Sequence, residues 1–201
     1  MKQNYQLILD KTIEAECSEN RRPTLLLHAC CAPCSSYVLE YLSEYFDITL
    51  FFYNPNISPK EEHDFRYAEL VRLVDEMGLS LRVKVIEGAY ESERFYSLSE
   101  GLEELPEGGA RCAKCYDLRL SETAKLAAEG KYDFFTTTLS ISPYKNAEWL
   151  NSIGVRLGEE YGVRYLVSDF KKKNGYKRSC ELSEKYRLYR QNYCGCEFSK
   201  R

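Results

Sequence analysis

Apolar residues along the chain fall into two alternating patterns. Short, nearly unbroken runs occur at "TLLLHA" (24–29), "DITLFFYNPN" (47–56), "LRVKVIEGAY" (81–90), "YDFFTTTLS" (132–140) and "VRYLVSDF" (163–170). Between them apolar positions recur at helical spacing. "SSYVLEYLSEYF" follows the first run, and "SPKEEHDFRYAELVRLVDEMG", opening on Ser-Pro and closing at Gly78, follows the second. Helical material through Arg119 to Glu129 follows the third, and "NAEWLNSIGVRLGEEYG" the fourth. Continuous apolar runs of this length suit strands covered on both faces. Their alternation with helical periods predicts an α/β fold, a Rossmann-like parallel sheet of about five strands with helices on both faces. Ligands of open α/β sheets sit beyond the carboxyl ends of the strands. Those ends here read "CCAPC", "NPN", "EGAY", "SISPYKN" and "DFKKKNGY", all polar, turn-forming or cysteine-bearing.

A length of 201 residues predicts one domain, with an α/β body over about 4–170 and a basic, tyrosine-rich tail over 171–201. From Lys171 to Arg201 there are ten Lys/Arg against three Asp/Glu, a local balance of +7 within a net charge of −3. An acidic body with a basic tail points to a polyanionic partner. The tail interleaves Lys171, Lys172, Lys173, Lys177, Arg178, Arg187 and Arg190 with Tyr176, Tyr186, Tyr189 and Tyr193. Cations neutralise phosphates and aromatic rings stack on unpaired bases, the usual mode for single-stranded RNA. The first residues lack a signal region, and the longest apolar run, "ITLFFY", falls far short of the ~18–20 residues that span a bilayer. The expectation is a cytoplasmic protein with no membrane contact.

Cytoplasmic location changes the meaning of nine cysteines, because structural disulfides are rare there. They cluster as Cys30, Cys31 and Cys34 in "LLLHACCAPC", Cys112 and Cys115 in "RCAKC", and Cys194 and Cys196 in "YCGC", with Cys180 upstream of the last pair. Cys17 and Cys180 match no motif and read as incidental. Alone, C-x-x-C is half of a zinc site, a redox pair or part of an iron–sulfur ligand set. Joined to "CCAPC" it can complete a four-thiolate set. An adjacent Cys-Cys pair makes a poor zinc knuckle, and a loop ending a buried strand is an odd place for a structural staple, so the pattern favours iron–sulfur over zinc.

Helices starting near Ser35 and Lys114 would aim positive dipole ends at such a centre, with Arg111 and Lys114 adding charge; otherwise those two basic residues mark a solvated helix start. Cys194 and Cys196, one glycine apart, read as a labile redox pair on the end of a helical tail. His28 reads as a satisfied, partly buried histidine and His63, in "KEEHDFR", as solvated. Tyr144, Lys145 and Asp169 lie at strand ends and are candidates for orienting substrate.

"LLLHACCAPCSSYVLEYL", "RCAKCYDLRL", "TTTLSISPYKN", "SDFKKKNGY" and "LYRQNYCGC" together resemble the cobalamin-independent epoxyqueuosine reductases, over about Asn4 to Cys196. The resemblance implies an adenine-nucleotide-hydrolase-like α/β fold. It implies the last step of queuosine synthesis, removal of the epoxide oxygen of epoxyqueuosine in a tRNA anticodon loop. It assigns Cys30, Cys31, Cys112 and Cys115 to a [4Fe–4S] cluster and Cys194 and Cys196 to a redox-active pair. An external electron donor is required and cobalamin is not; Cys34 is left as a ligand of either the cluster or a second metal, an additional iron ion. An adenylating tRNA thiolase on a related fold would want a glycine-rich phosphate loop after the first strand, where this chain has "HACCAPCSS". The remaining alternative is a zinc-stabilised RNA-binding module without redox catalysis.

Overall fold

In the computed structural model of the chain, residues 3–17 and 21–200 are described. Five parallel strands form one sheet: β1 (Thr24–His28), β2 (Asp47–Phe52), β3 (Lys84–Glu87), β4 (Phe134–Thr137) and β5 (Arg164–Tyr165), in the order β3-β2-β1-β4-β5. The helices are α1 (Tyr5–Glu16), α2 (Ala32–Leu42), α3 (Lys60–Glu76), α4 (Ser92–Ser99), α5 (Ala110–Glu129), α6 (Ala147–Tyr161) and α7 (Gly175–Lys185). In the register, Leu26 of β1 lies between Thr49 and Phe135. Side chains alternate across a strand, so Leu25 and Leu27 enter one core with residues of α1, α2 and α3. Leu26 enters the opposite core with residues of α5 and α6. Helices therefore cover both faces, as the apolar runs predict. Full burial of each such leucine contributes about 1.5–3 kcal/mol.

The strand order reverses at β1: β2 lies on one side and β4 on the other. That crevice, between the carboxyl ends of β1 and β4, is where this fold class opens a binding site. The run 163–170 pairs as strand only at Arg164–Tyr165. Beyond it Asn151 of α6 takes over the pairing, receiving the Ser168 N–H at 2.9 Å and donating to the Ser168 carbonyl at 2.9 Å. The tail is helical only to Lys185; from there to Cys196 it runs irregularly back over the site.

His63 is the clearest correction to the sequence reading. It is fully buried rather than solvated, with its ring 5.0 Å from that of Phe52 and 4.6 Å from that of Tyr90. Lys60, Glu61 and Asp64 beside it in "KEEHDFR" are exposed and conceal this.

Gly175 opens α7 where it packs on α2. A Cβ there would lie 2.0 Å from the Phe170 carbonyl oxygen and 2.4 Å from the Tyr37 ring. Backbone cannot yield as a side-chain tip can, so Gly175→Ala is expected to cost about 1–3 kcal/mol, read as a lower urea midpoint.

Candidate active site

Cys30 and Cys31 follow β1 at the crevice, and Cys31 is the N-cap of α2. One helical turn brings Cys34 back to them. The three sulfurs lie within 4.8 Å of one another, with Cys30 and Cys31 3.7 Å apart, a grouping able to hold a metal ion. Cys30 also lies 3.8 Å from Thr138 Oγ1, across the crevice after β4. Cys112 and Cys115 occupy successive turns at the start of α5, where the Gly108 N–H donates to Cys112 Sγ at 3.2 Å.

The tail supplies the remaining thiols. Arg66, buried on α3 and held by Glu62 at 2.7 Å, donates to the Cys194 carbonyl at 3.0 Å. Ser58 N–H donates to the Gly195 carbonyl at 3.0 Å. Gly195 has φ +108, and a Cβ there would meet Ile57 at 2.8 Å and Arg66 at 2.9 Å, so only glycine lets the turn close. This turn points Cys194 at Lys145, whose Nζ lies 3.1 Å from the sulfur and 2.7 Å from Glu107 Oε1. Cys196 is buried with Cys115 and Phe95.

Two adjoining spaces result. A cavity of about 430 Å³ is lined by Cys30, Cys31, Cys34 and Cys194, and its walls include Tyr144, Tyr176 and Tyr193. A much smaller space of about 20 Å³ is lined by Cys112, Cys115, Cys194 and Cys196. Glu107, Lys145 and Cys194 border both. Seven of the nine cysteines thus converge on one locus, all as free thiols.

The electrostatics fit an electron-rich occupant. The Cys31 thiol is held well below its ordinary value by hydrogen bonds from Cys30 and Cys34, with Arg66 adding to them against burial. The same contacts push Cys34 well up. Burial pushes Cys115 up to about 11 and Cys196 up to about 12. Burial opposes the charge of Lys145, but Cys194, Tyr116 and Glu107 outweigh it and raise its pKa well above that of an ordinary lysine. Arg119, one turn beyond Cys115, is 1% exposed. Its Nε donates to His28 Nε2 at 3.3 Å, its Nη2 to Asn54 Oδ1, and its Nη1 lies 4.0 Å from Cys115 Sγ. Among the described residues no carboxylate pairs with it. A buried cation needs a counter-charge, and the nearby thiols supply one when ionised or metal-bound. His28 is fully buried, and burial, then Arg119, push it down to about 3, so it is neutral; Thr137 Oγ1 lies 2.9 Å from its Nδ1. It is the satisfied histidine expected.

Of the two readings of Arg111, the solvated helix start is excluded: it is 1% exposed, and Nη1 donates to the carbonyls of Leu102, Glu103 and Leu105 at 2.7–2.8 Å, so it ties down the loop before α5. Lys145 lies at the heart of the site, and Tyr144 is at the rim, 62% exposed. Asp169 is buried but pairs with Lys171 at 3.0 Å and is not among the residues bordering either space. Lys173 pairs with Asp10 at 2.8 Å, which leaves Lys172 as the exposed member of its trio without an ion pair among the described residues. Glu107 and Asn56, in loops, and Arg66 and Arg119, inside α3 and α5, join the site without a sequence signal of their own.

The fold and this site define an α/β protein with a polythiol centre at the switch point of its sheet, a class suited to metal and redox chemistry. The chain belongs to the epoxyqueuosine reductase QueH family, whose model matches residues 25–201. It is 43% identical over 198 residues to the epoxyqueuosine reductase QueH of Streptococcus pyogenes, covering 98% of this chain and 78% of the relative. The protein of that name from Staphylococcus epidermidis is 44% identical over 200 residues, covering 98% and 84%. That from Thermotoga maritima is 36% identical over 179 residues, covering 88% and 90%.

Proposed function

We propose that this protein is an oxidoreductase that converts epoxyqueuosine to queuosine in a tRNA anticodon loop. One observation carries the chemistry: Cys194, delivered by the tail, borders both the large cavity and the small thiol-lined space, beside a buried Lys145. Family membership supplies the substrate. The family gives no support to the alternative of a zinc-stabilised RNA-binding module without redox catalysis.

In this reading Cys30, Cys31, Cys112 and Cys115 hold a [4Fe–4S] cluster, and Cys34, grouped with Cys30 and Cys31, is available to an additional iron ion. When bound, the cluster supplies one-electron transfer close to the substrate. The residues of the chain do the rest. Cys194 and Cys196 store the electron pair: the epoxide and two thiols become an alkene, a disulfide and water, so two C–O bonds break and one S–S bond forms. An external donor then reduces the disulfide. Lys145 Nζ holds a proton 3.1 Å from Cys194 Sγ, at the edge of the cavity where the leaving oxygen needs one. Tyr144, Tyr176 and Tyr193 offer ring faces to an unstacked base, and Lys172 offers charge to the phosphates. Lys171 and Lys173 shape that surface through their ion pairs with Asp169 and Asp10.

No helix among the described residues is long and apolar enough to cross a membrane. A reducing, cytoplasmic setting suits seven unpaired thiols at one site. The direct test is single-turnover incubation of the reduced protein with epoxyqueuosine-bearing tRNA, followed by nucleoside mass spectrometry. Queuosine should appear, and unchanged epoxyqueuosine would overturn the assignment.

A further inference from the structure

The segment after β2 reads Asn54-Pro55-Asn56, and its two asparagines have opposite environments. Asn54 is fully buried and satisfied: Nδ2 donates to the Ala29 carbonyl at 2.9 Å and Oδ1 accepts from Arg119. Asn56 is 1% exposed, yet neither its amide nitrogen nor its amide oxygen has a hydrogen-bond partner among the described residues. It borders the small space between Cys112, Cys115, Cys194 and Cys196. Tyr116, also 1% exposed, borders the same space with its hydroxyl unpartnered.

Leaving a buried polar group unsatisfied costs about 1–3 kcal/mol. Two donors, the Asn56 amide N–H and the Tyr116 hydroxyl, on one sulfur-lined space point to an acceptor shared between them. Sulfur is that acceptor, because thiolate and sulfide take hydrogen bonds from amide and hydroxyl donors, and such bonds around a metal centre tune its properties. We propose that Asn56 Nδ2 and the Tyr116 hydroxyl donate to the sulfurs of the centre on its Cys112–Cys115 side, as positioning residues that set its reduction potential. The proposal rests on the iron–sulfur reading of the site.

A donor aimed at sulfur stabilises the charge added on reduction, so removing it makes reduction harder. Iron-loaded Asn56→Leu, titrated under EPR, should hold as much iron as the wild type and show a more negative midpoint potential. Tyr116→Phe, which removes one oxygen, should shift the same way. The metal-free proteins give an independent reading. Asn56→Leu abandons no protein partner and should melt at or above the wild-type temperature, whereas Asn54→Leu, which strips the partner from Arg119 Nη2 and from the Ala29 carbonyl, should melt well below it. A loaded Asn56→Leu with wild-type potential, or a metal-free Asn56→Leu as destabilised as Asn54→Leu, would overturn the proposal. If Asn56→Leu does not fold, Tyr116→Phe decides the question by the same potential measurement. A wild-type chain that takes up no iron would instead overturn the reading of the centre, and this proposal with it.

Discussion

Cys194→Ser is expected to lower turnover of epoxyqueuosine tRNA below about one-thousandth of the wild-type rate while leaving iron content unchanged. The size of the loss follows from the stoichiometry. Removing the epoxide oxygen takes two electrons, and a centre that passes them singly leaves the thiol pair to complete the reaction. A serine hydroxyl cannot form the disulfide. The selectivity follows from position: Cys194 reaches the site from the tail, is half-buried, and packs against Lys145 rather than among Cys30, Cys31 and Cys34. Its loss should cost less than about 1 kcal/mol of stability. Cys196→Ser should behave alike in turnover. Quantifying iron and product on one preparation checks both halves. Multiple turnovers by a Cys194→Ser protein would mean that the centre alone delivers both electrons.

Arg119→Met should weaken iron retention about 10–100-fold, measured by competition with a chelator under argon. The guanidinium is buried, has no carboxylate partner among the described residues, and faces Cys115, Cys30 and Cys194, which supply its counter-charge when ionised or metal-bound. An anionic centre and this cation stabilise each other, so the charge matters more than the volume. Arg119→Lys should restore part of the retention, although lysine lacks the planar fork that reaches His28 and Asn54 together. Wild-type retention in Arg119→Met would reduce Arg119 to a strut for Asn54.

The sheet was legible because β1, β2 and β4 are covered on both faces and read as continuous apolar runs. β5 was overread: its apolar run extends to 170, but Asn151 replaces a strand partner from Ser168 onward. α1 left little trace because Leu9 and Ile13 are its only buried apolar residues. The thiols were legible as clusters, since chemistry-bearing residues after strands in an α/β chain meet at one edge. Their partners were not. Lys145 and Cys194 are 49 positions apart, and nothing in either segment encodes the 3.1 Å contact. His63 was misjudged because it stands among charged neighbours, and only packing between Phe52 and Tyr90 buries it. The burial of Arg111 against the 102–105 carbonyls is likewise a tertiary contact that its own segment does not encode.

Whether the converging thiols hold an iron–sulfur centre is the claim on which the rest depends. It is tested most directly by purifying the protein without oxygen, assaying iron and acid-labile sulfide, and recording EPR spectra after dithionite reduction. The expected result is about four irons and four sulfides per chain, with a reduced-cluster signal that disappears when Cys30, Cys31, Cys112 or Cys115 is replaced by alanine. Zinc alone, in protein kept strictly anaerobic, would contradict the account.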